Sequence, residues 1–286
     1  MRKRQVDQLG PYLSGEKLYG DDFSTEQIAQ WYADERDGYA DLGAKDRESY
    51  RYAYHALNQL HAYRHLGSAP FEHVLGFGSA YGDELLPIIN RVKSITIVDP
   101  SDAFVRDAVH GVPAKYVKPQ PDGRLPFQGA SFDLATCLGV LHHIPNVTCV
   151  VREIARVLRP GGHLVLREPI VSMGDWRTPR RGLTKRERGI PLHLLMSILE
   201  GNGLETVRMR LCAFAATARV FKRWRADFYN SSLITRLDSV LSTLFSWNVN
   251  YHPRNPMQRL RPTAAFFLLR KRNSQPDAEE GALFAA

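Results

Sequence analysis

From Phe71 onward the sequence alternates short apolar runs with stretches of helical length, and this alternation limits the possible folds more than any other feature. Strands separated by helices of about 10–15 residues indicate βαβ units and a mostly parallel sheet. Because parallel crossovers are right-handed, the sequence predicts a doubly wound open α/β sheet. The predicted strands are His73–Phe77, Ser94–Asp99, Ala114–Val117, Phe132–Leu138, His163–Glu168, Glu205–Phe214 and Ala264–Arg270. The predicted helices are about Asp83–Val92, Ser101–Val109, Val147–Leu158 and Pro191–Asn202.

The segments on either side of this alternation have different patterns. Residues 1–70 carry no strand pattern. Ser24 and Gln27 form a capping box before an amphipathic run, and a second helical stretch is predicted from about Arg47 to Leu66. A basic loop, 171–190, and an insertion, 219–261, interrupt the alternation. We therefore divide the chain into an N-terminal helical segment, 1–70, a domain, 71–272, and a tail, 273–286, whose composition predicts disorder.

Charge and apolar content exclude several classes of protein. The chain has 38 Lys and Arg against 30 Asp and Glu, so its surplus of +8 favours anionic partners. The longest apolar run, 264–269, is far shorter than the roughly 20 residues that a membrane-spanning helix needs. The basic N-terminus has no apolar stretch behind it, so we expect a cytoplasmic protein. The spacing of Cys137, Cys149 and Cys212 predicts neither a disulfide framework nor a zinc cluster.

Two motifs lie at the carboxyl ends of the first two predicted strands, where an open α/β sheet binds its ligand. Val74-Leu-Gly76-Phe-Gly78-Ser-Ala80-Tyr-Gly82 runs from a strand into a turn whose glycines let a ligand approach the main chain. An ordinary tight turn is the alternative. Asp99 closes the second strand, where a carboxylate accepts hydrogen bonds from ribose hydroxyls or caps the next helix. Ser101 or Asp102 can supply that cap, which leaves Asp99 for a ligand.

Two further motifs follow in order. Leu125-Pro-Phe127 and Ser131-Phe-Asp133 precede the run Leu138-Gly-Val-Leu141-His142-His143-Ile-Pro145, and Leu158-Arg-Pro160-Gly161-Gly162 leads to Glu168. With four motifs in this order, residues 71–215 and the strand near 264–270 resemble the class I S-adenosylmethionine-dependent methyltransferases. The resemblance covers roughly half of the chain. It implies a mostly parallel, seven-stranded Rossmann-like sheet, residues 1–70 folded over it as a helical lid, and S-adenosyl-L-methionine (SAM) as the cofactor.

The resemblance also implies, position by position, which residues bind this cofactor. Gly78 and Gly82 match the first and last glycines of the family's methionine-binding turn, and Asp99 matches the ribose acid. Gly76 stands where the family usually has Asp or Glu, so recognition of the methionine end departs from the family pattern. The adenine loop is expected around 119–124, with Asp122 as the contact. The predicted cofactor set is Gly76, Phe77, Gly78, Ser79, Gly82, Asp99, Pro100, Asp122, Leu138, Gly139 and Trp31.

Catalytic candidates lie at the same edge of the sheet. His142, His143 and Glu168 follow the fourth and fifth predicted strands, where a base or a group that orients the acceptor would be needed. The alternatives are a packed histidine pair and a salt bridge from Glu168 to an arginine. An aromatic face stabilises a sulfonium, and Trp31 heads the aromatic candidates, with packing of the N-terminal helices as the alternative.

The basic loop predicts how the acceptor is recognised. Arginine suits bidentate contact with phosphate or carboxylate, and we expect Arg177, Arg180, Arg181 and Arg188 to bind an anionic acceptor. The alternatives are a solvated loop or one held by acids of the first helix: Asp34, Glu35 and Asp37. The insertion is amphipathic through 219–247, which suits a membrane surface, a homodimer contact or a substrate lid. A helical cover packed on the sheet is the favoured alternative.

Together these patterns predict a methyltransferase that acts on oxygen. The expected acceptor is a small anionic or sugar-containing molecule, such as a nucleotide-linked sugar or a glycan, which would place the protein in carbohydrate biosynthesis. No metal and no nucleic acid are expected. Three alternatives stay open at this point: a nucleic-acid methyltransferase, a nicotinamide-dependent oxidoreductase, and an inactive SAM-binding interaction protein. The glycine spacing argues against the oxidoreductase.

Overall fold

The fold was obtained as a computed structural model that describes residues 9–42, 47–48, 50–176, 178–223 and 227–273. Its centre is a mixed sheet with the strand order β3-β4-β2-β1-β5-β6-β8-β7. The strands are β1 (Phe71–Phe77), β2 (Val92–Val98), β3 (Ala108–Val109), β4 (Val112–Val117), β5 (Phe132–Leu138), β6 (Leu158–Pro169), β7 (Leu204–Phe214) and β8 (Pro262–Lys271). The α-helices are α1 (Thr25–Leu42), α2 (His55–His61), α3 (Val147–Val157), α4 (Leu192–Gly201), α5 (Ala215–Arg223) and α6 (Ser232–Leu244).

The middle of the sheet is parallel. β1 pairs with β2 and β5, β2 with β4, and β5 with β6, all in parallel register. β8 enters antiparallel between β6 and β7. The predicted doubly wound, mostly parallel α/β fold is therefore confirmed, and the carboxyl ends of β1, β5 and β6 meet at one edge.

Two local predictions were wrong. A helix was predicted over Ser101–Val109, but Ala108 and Val109 form the short strand β3, which makes the sheet eight-stranded. His110 and Gly111 both adopt positive φ angles, 48° and 85°, and this two-residue turn forms a hairpin with β4.

The second wrong prediction is the long helix from Arg47 to Leu66. The described chain forms only α2 and a 3₁₀ turn, Tyr63–His65, in this stretch. Residues 51–54 have no regular secondary structure. The tyrosines at 50, 52 and 54 alternate along this segment, a pattern that suits an extended chain better than a helix.

Helices cover both faces of the sheet. One buried apolar cluster joins α3 and α4 to one face, and a second joins α2 and Tyr63 to the other. The capping box at α1 is present, since the Ser24 amide donates to Gln27 Oε1 at 2.9 Å. Helix α6 packs on β7, as the favoured alternative for the insertion predicted. No helix in the described ranges combines the length and apolar content needed to cross a membrane.

Candidate active site

A cavity of about 690 Å³ opens at the carboxyl edge of the sheet, within the size range of small-molecule sites. The turn after β1 lines it with Gly78 and Ser79, the end of β5 with Leu138 and Gly139, and the end of β6 with residues 167–169. The remaining walls come from the extended segment 50–54, from β7 and β8, and from residues 228–229. The cavity therefore spans the sheet from the glycine turn to the antiparallel strands.

The glycine-rich turn is built by close packing that a larger residue would disturb. A Cβ at Gly76 would lie 2.6 Å from Ser79 Oγ, so an acid at this position would require the Ser79 side chain to move. Gly78 has φ +67°, and its amide donates to the Val98 carbonyl at 2.8 Å. Ala80 has φ +47° and donates its amide to Asp99. The turn is thus held in a left-handed conformation beside the cavity.

Asp99 lies just behind this turn. Its Oδ2 accepts from the Ala80 amide and its Oδ1 from the Ser101 amide, both at 3.0 Å. Burial raises the pKa of this carboxyl, and the two backbone hydrogen bonds oppose that rise. Each carboxylate oxygen has a second lone-pair direction, so Asp99 retains capacity for two further donors. The ribose role stays a prediction, and Asp99 also fixes the shape of the turn.

The other predicted adenosine contacts lie outside the cavity lining. Pro100 follows Asp99, and exposed Asp122 accepts from the Arg124 amide at 2.9 Å through Oδ1. Phe77 is buried in the apolar core and Gly82 packs against Val109. The structure thus brings Gly78, Ser79, Leu138, Gly139, His142 and Glu168 to the cavity, and leaves Gly76, Phe77, Gly82, Asp99, Pro100, Asp122, His143 and Trp31 off its lining.

A buried carboxyl that the sequence analysis missed lies next to the glycine turn. Glu84 lines the cavity and accepts from Thr136 Oγ1 at 3.2 Å. Burial raises the pKa of Glu84 to about 7, although hydrogen bonds from Ser79 and Thr136 oppose the rise. Because Gly76 carries no acid, Glu84 supplies the carboxyl at this end of the cavity. An acid in the first turn after Gly82 was the available signal.

Glu168 is completely buried and its hydrogen-bonding capacity is used. It accepts the amides of Val140 and Leu141 at 2.8 Å and of His142 at 3.3 Å, and His142 Nδ1 lies 2.7 Å from Oε2. A carboxylate offers about four lone-pair sites, and these four contacts occupy them. The geometry favours Glu168 as the residue that positions His142 rather than as a free base.

His142 is the histidine that reaches the cavity, and it is held between two carboxylates. Its Nδ1 faces Glu168 and its Nε2 lies 3.5 Å from Glu187 Oε1. Burial lowers the pKa of His142, but the charges and hydrogen bonds of Glu168 and Glu187 outweigh it and raise the pKa to about 9. An imidazolium at neutral pH orients or donates and does not accept a proton. His142 therefore suits the orienting role better than that of a base.

His143 points away from the cavity. Its Nδ1 lies 2.8 Å from Glu35 Oε2 of α1 and 3.2 Å from Thr184 Oγ1. Burial and the neighbouring His142 lower the pKa of His143, against the charges of Glu35 and Glu187. One ligand-type atom from each of His142, His143 and Glu187 lies within 4.8 Å of the others. A metal ion would need a neutral His142, whereas this histidine is held protonated between two carboxylates. The sequence spacing did not indicate this cluster because Glu187 lies in a distant loop.

Two of the arginines predicted to bind the acceptor donate hydrogen bonds to backbone carbonyls instead. Arg188 is almost fully buried and donates to the carbonyls of Tyr19, Leu141, His142, Ile144 and Pro145. Arg180 donates to four carbonyls of its own loop, at residues 173, 184, 185 and 187. The predicted acceptor role of Arg188 is therefore corrected, because backbone carbonyls accept from all three of its nitrogens. For Arg180 it is corrected at both terminal nitrogens, whereas its buried Nε has no hydrogen-bond partner in the described chain. Arg181 is exposed, and Arg177 lies outside the described residues.

The loop is held to the first helix by the acids that the sequence analysis named as an alternative. Asp34 pairs with Lys185 and Arg186 at 2.7 and 2.8 Å, and Glu35 accepts the Arg186 amide at 2.7 Å. The side chain of Asp37 lies outside the described residues.

Trp31 is fully buried in the same packing. Its indole N–H donates to the His143 carbonyl at 2.7 Å, and Arg188 lies 5.2 Å from its ring centroid. The structure thus places Trp31 in protein packing rather than at the cavity, as the packing alternative predicted.

An arginine that the sequence analysis did not single out lies in the cavity wall. Arg167, in β6, stands with its guanidinium carbon 3.8 Å from the ring centroid of Tyr54. Its Nη1 is buried without a hydrogen-bond partner in the described chain. Tyr52 and Tyr229 line the same part of the cavity. A lone arginine at the end of an apolar strand resembles an ordinary edge residue in sequence, so only the fold reveals its setting.

Comparison with known proteins decides the family of the central segment. Residues 75–166 match the family model described as "Methyltransferase domain". This segment contains the glycine turn, Asp99, the histidine pair and most of β6. Residues 75–166 are a methyltransferase domain. The predicted resemblance to SAM-dependent methyltransferases is confirmed for this domain, and SAM is the cofactor of that family.

Curated relatives share short segments with this chain. It is 55% identical over 42 residues to a 27-O-demethylrifamycin SV methyltransferase of Amycolatopsis mediterranei (strain S699), a match that covers 15% of each chain. It is 49% identical over 39 residues to a ubiquinone biosynthesis O-methyltransferase of Xanthomonas oryzae pv. oryzae (strain PXO99A), covering 14% of this chain and 16% of that one. The chain thus matches only about a sixth of the length of these relatives.

The solved structure of an S-adenosylmethionine-dependent methyltransferase from Mesorhizobium loti has a similar overall arrangement. It is 16% identical, covers 71% of this chain and 92% of that one, and gives a TM-score of 0.46. A likeness at this level adds nothing about substrate or individual residues.

The cavity suits SAM on chemical grounds. The methionine end of the cofactor carries an ammonium and a carboxylate. At the glycine turn the cavity offers the Glu84 carboxyl and the backbone of Gly78 and Ser79. Asp99 has acceptor capacity for hydroxyls behind the same turn.

Proposed function

We propose that this chain is a SAM-dependent methyltransferase that methylates an oxygen of a small anionic acceptor bound in the cavity. The observation that carries the proposal is a cavity that joins the glycine turn after β1 to Arg167 of β6, whose buried Nη1 has no hydrogen-bond partner among the described residues. A donor site and an acceptor site must adjoin for direct group transfer, because the reacting atoms need near-attack distances.

The names of the relatives support transfer to oxygen. One is named for O-demethylrifamycin and the other as an O-methyltransferase. Their matches cover short segments, so the acceptors in those names do not transfer to this chain. An anionic acceptor is supported here by Arg167, which takes the place of the loop arginines that the sequence analysis chose.

Within this proposal each side of the cavity has a role. When bound, SAM supplies an electrophilic methyl group on a positively charged sulfur. The turn at Gly78 and Ser79 holds its methionine end, with Glu84 as the acceptor for the ammonium, and Asp99 accepts from the ribose hydroxyls. Gly139 has φ +79°, and its missing side chain leaves room beside Arg167 and His142.

The groups next to the acceptor orient it more readily than they deprotonate it. Glu168 has its lone pairs occupied, and His142 is protonated near neutral pH. Acidic acceptors that ionise in water are therefore favoured over neutral sugar hydroxyls, which would need a strong base.

Transfer of a labelled methyl group tests the proposal. The chain is incubated with methyl-labelled SAM and with phenols, sugar acids and nucleotide-linked sugars, and labelled products are counted. We expect transfer to at least one anionic class. Ala218→Phe, which narrows the cavity, should reduce transfer, whereas Ala216→Phe, on the same helix outside the lining, should not. Binding of S-adenosylhomocysteine without transfer to any class would favour the inactive SAM-binding alternative.

Nucleic-acid methylation is the second candidate that the sequence analysis kept, and no specific observation favours it. In the basic loop, Arg180 and Arg188 donate hydrogen bonds to backbone carbonyls. Lys185 and Arg186 form ion pairs with Asp34. This leaves little of the loop's charge for phosphates.

A peripheral membrane contact through 219–247 stays a proposal, as do a homodimer and a cytoplasmic location. Helix α6 and the turn after it present an exposed apolar stripe: Leu233, Leu237, Val240, Leu244 and Trp247. Such a stripe suits an interfacial helix. We expect the Leu237→Ser, Leu244→Ser double substitution to reduce co-sedimentation with anionic vesicles, and Val207→Ser, an exposed apolar residue of β7, to leave it unchanged. Equal binding by both variants would contradict the membrane proposal.

A further inference from the structure

Arg167 has a cationic group that forms no ion pair in the described part of the chain. Burial lowers the pKa of this guanidinium, but the nearby Tyr52, Tyr54 and Glu168 outweigh burial and raise it. Its side chain makes no hydrogen bond and no ion pair there, and its Nη1 is buried. The neighbouring Glu168 carboxylate is occupied by three amides and by His142. A buried donor without a partner costs free energy, so the Nη1 group is suited to donate to an anion that enters the cavity.

The position of Arg167 in the sheet separates it from the glycine turn. Gly78 follows β1, whereas Arg167 lies in β6, and β5 runs between them. Arg167 is in register with Leu138 of β5 on one side and Phe266 of β8 on the other. Two strand spacings are about 10 Å. Arg167 therefore belongs to the β6–β8 half of the cavity, beyond the half that the glycine turn lines.

The wall around Arg167 is aromatic. Tyr54 lies under the guanidinium and stacks on Tyr229, with ring centroids 5.6 Å apart and an interplanar angle of 23°. Tyr52 packs edge-on against Tyr54 at 5.8 Å. The Tyr229 hydroxyl donates to Asp238 Oδ1 at 3.1 Å, so this hydroxyl is bound by a protein carboxylate. Flat aromatic faces favour a planar ligand.

We propose that this half of the cavity binds a planar aromatic acceptor through an ionised ring hydroxyl, with the oxyanion at Arg167 and the ring beside the aromatic wall that Tyr52, Tyr54 and Tyr229 form. The inference rests on the proposed function and names its substrate class as phenols. The guanidinium stabilises the phenolate, so the hydroxyl proton leaves to solvent before transfer. The phenolate oxygen then forms the bond to the methyl carbon as the carbon–sulfur bond breaks, and the electron pair stays on sulfur. This sequence needs no base from Glu168 or His142.

Binding of 4-nitrophenol tests the inference, because its absorption spectrum reports whether it is ionised. The chain is saturated with S-adenosylhomocysteine and titrated with 4-nitrophenol, with its methyl ether 4-nitroanisole, and with glucuronate. We expect wild type to bind the ionised form of 4-nitrophenol and to prefer it over the other two probes. Arg167→Met should weaken that binding at least about tenfold, the size of a lost charged hydrogen bond. Arg167→Lys should restore part of it, and Arg210→Met, an exposed arginine of β7, should have no effect.

Three results would overturn the inference. One is unchanged 4-nitrophenol binding by Arg167→Met, and another is tighter binding of glucuronate than of 4-nitrophenol. The third is loss of S-adenosylhomocysteine binding in Arg167→Met with 4-nitrophenol binding retained, which would assign Arg167 to the cofactor's carboxylate. A different result would refute the proposed function alone. In that case wild type would bind 4-nitrophenol through Arg167 but would neither bind S-adenosylhomocysteine nor transfer a methyl group.

Discussion

The ion pairs of His142 predict a specific dependence of folding stability on pH. In the folded chain Glu168 and Glu187 outweigh the effect of burial and raise the pKa of His142 from 6.5 to about 9. A group whose pKa is raised by folding stabilises the fold fully below its unfolded pKa, and this stabilisation is lost as the pH rises through its folded pKa. The difference between the two values corresponds to about 3 kcal/mol. The stabilisation should therefore be complete near pH 6 and absent near pH 10.

Urea denaturation of wild type and His142→Gln at a series of pH values measures this contribution. The difference in unfolding free energy between the two proteins should fall by about 3 kcal/mol from about pH 6 to about pH 10. His73→Gln, at an exposed histidine of β1, is the matched control and should show no such change. A difference between wild type and His142→Gln that stays constant over this range would refute the assignment of a charged His142 between two carboxylates.

Further predictions concern the buried charges around the site. Arg188→Met should lower the melting temperature strongly, because it leaves buried carbonyls without donors at a cost of about 3 kcal/mol or more. The control Arg181→Met should leave the melting temperature unchanged. If Arg188→Met instead reduced acceptor affinity without changing the melting temperature, Arg188 would be part of an anion site. Asp99→Asn should weaken S-adenosylhomocysteine binding by about 1–3 kcal/mol in calorimetry, while exposed Asp102→Asn should not; equal affinities would remove the ribose assignment. Glu84→Gln should raise the free energy of unfolding more at pH 8 than at pH 5, because burial raises the pKa of Glu84 to about 7 and makes its charged form costly. A larger gain at pH 5 than at pH 8 in urea denaturation would contradict this.

Local patterns in the sequence were sufficient for the parallel centre of the sheet and for the position of the glycine turn. The strand before Gly78 and the acid at the end of the second strand are close in sequence to the turn they build, so their spacing carries the information. The hairpin at His110 and Gly111 was missed because positive φ at a histidine leaves no periodic signal.

The acceptor half could not be predicted in the same way, because its contacts join distant segments. Arg188 looked free in sequence, but its acceptors at Tyr19 and residues 141–145 come from two other parts of the chain. Arg167 shows the reverse, because its sequence context is that of an ordinary strand-end residue. Only the fold shows that its Nη1 is buried without a hydrogen-bond partner among the described residues. Charge counts therefore located a basic loop but not the cation that faces the cavity.

Calorimetric titration with SAM, S-adenosylhomocysteine and NAD tests the central claim most directly. We expect micromolar binding of the first two and no binding of NAD. Binding of NAD alone would contradict it and favour an oxidoreductase, and failure to bind either methionine derivative would reduce the resemblance to one of fold.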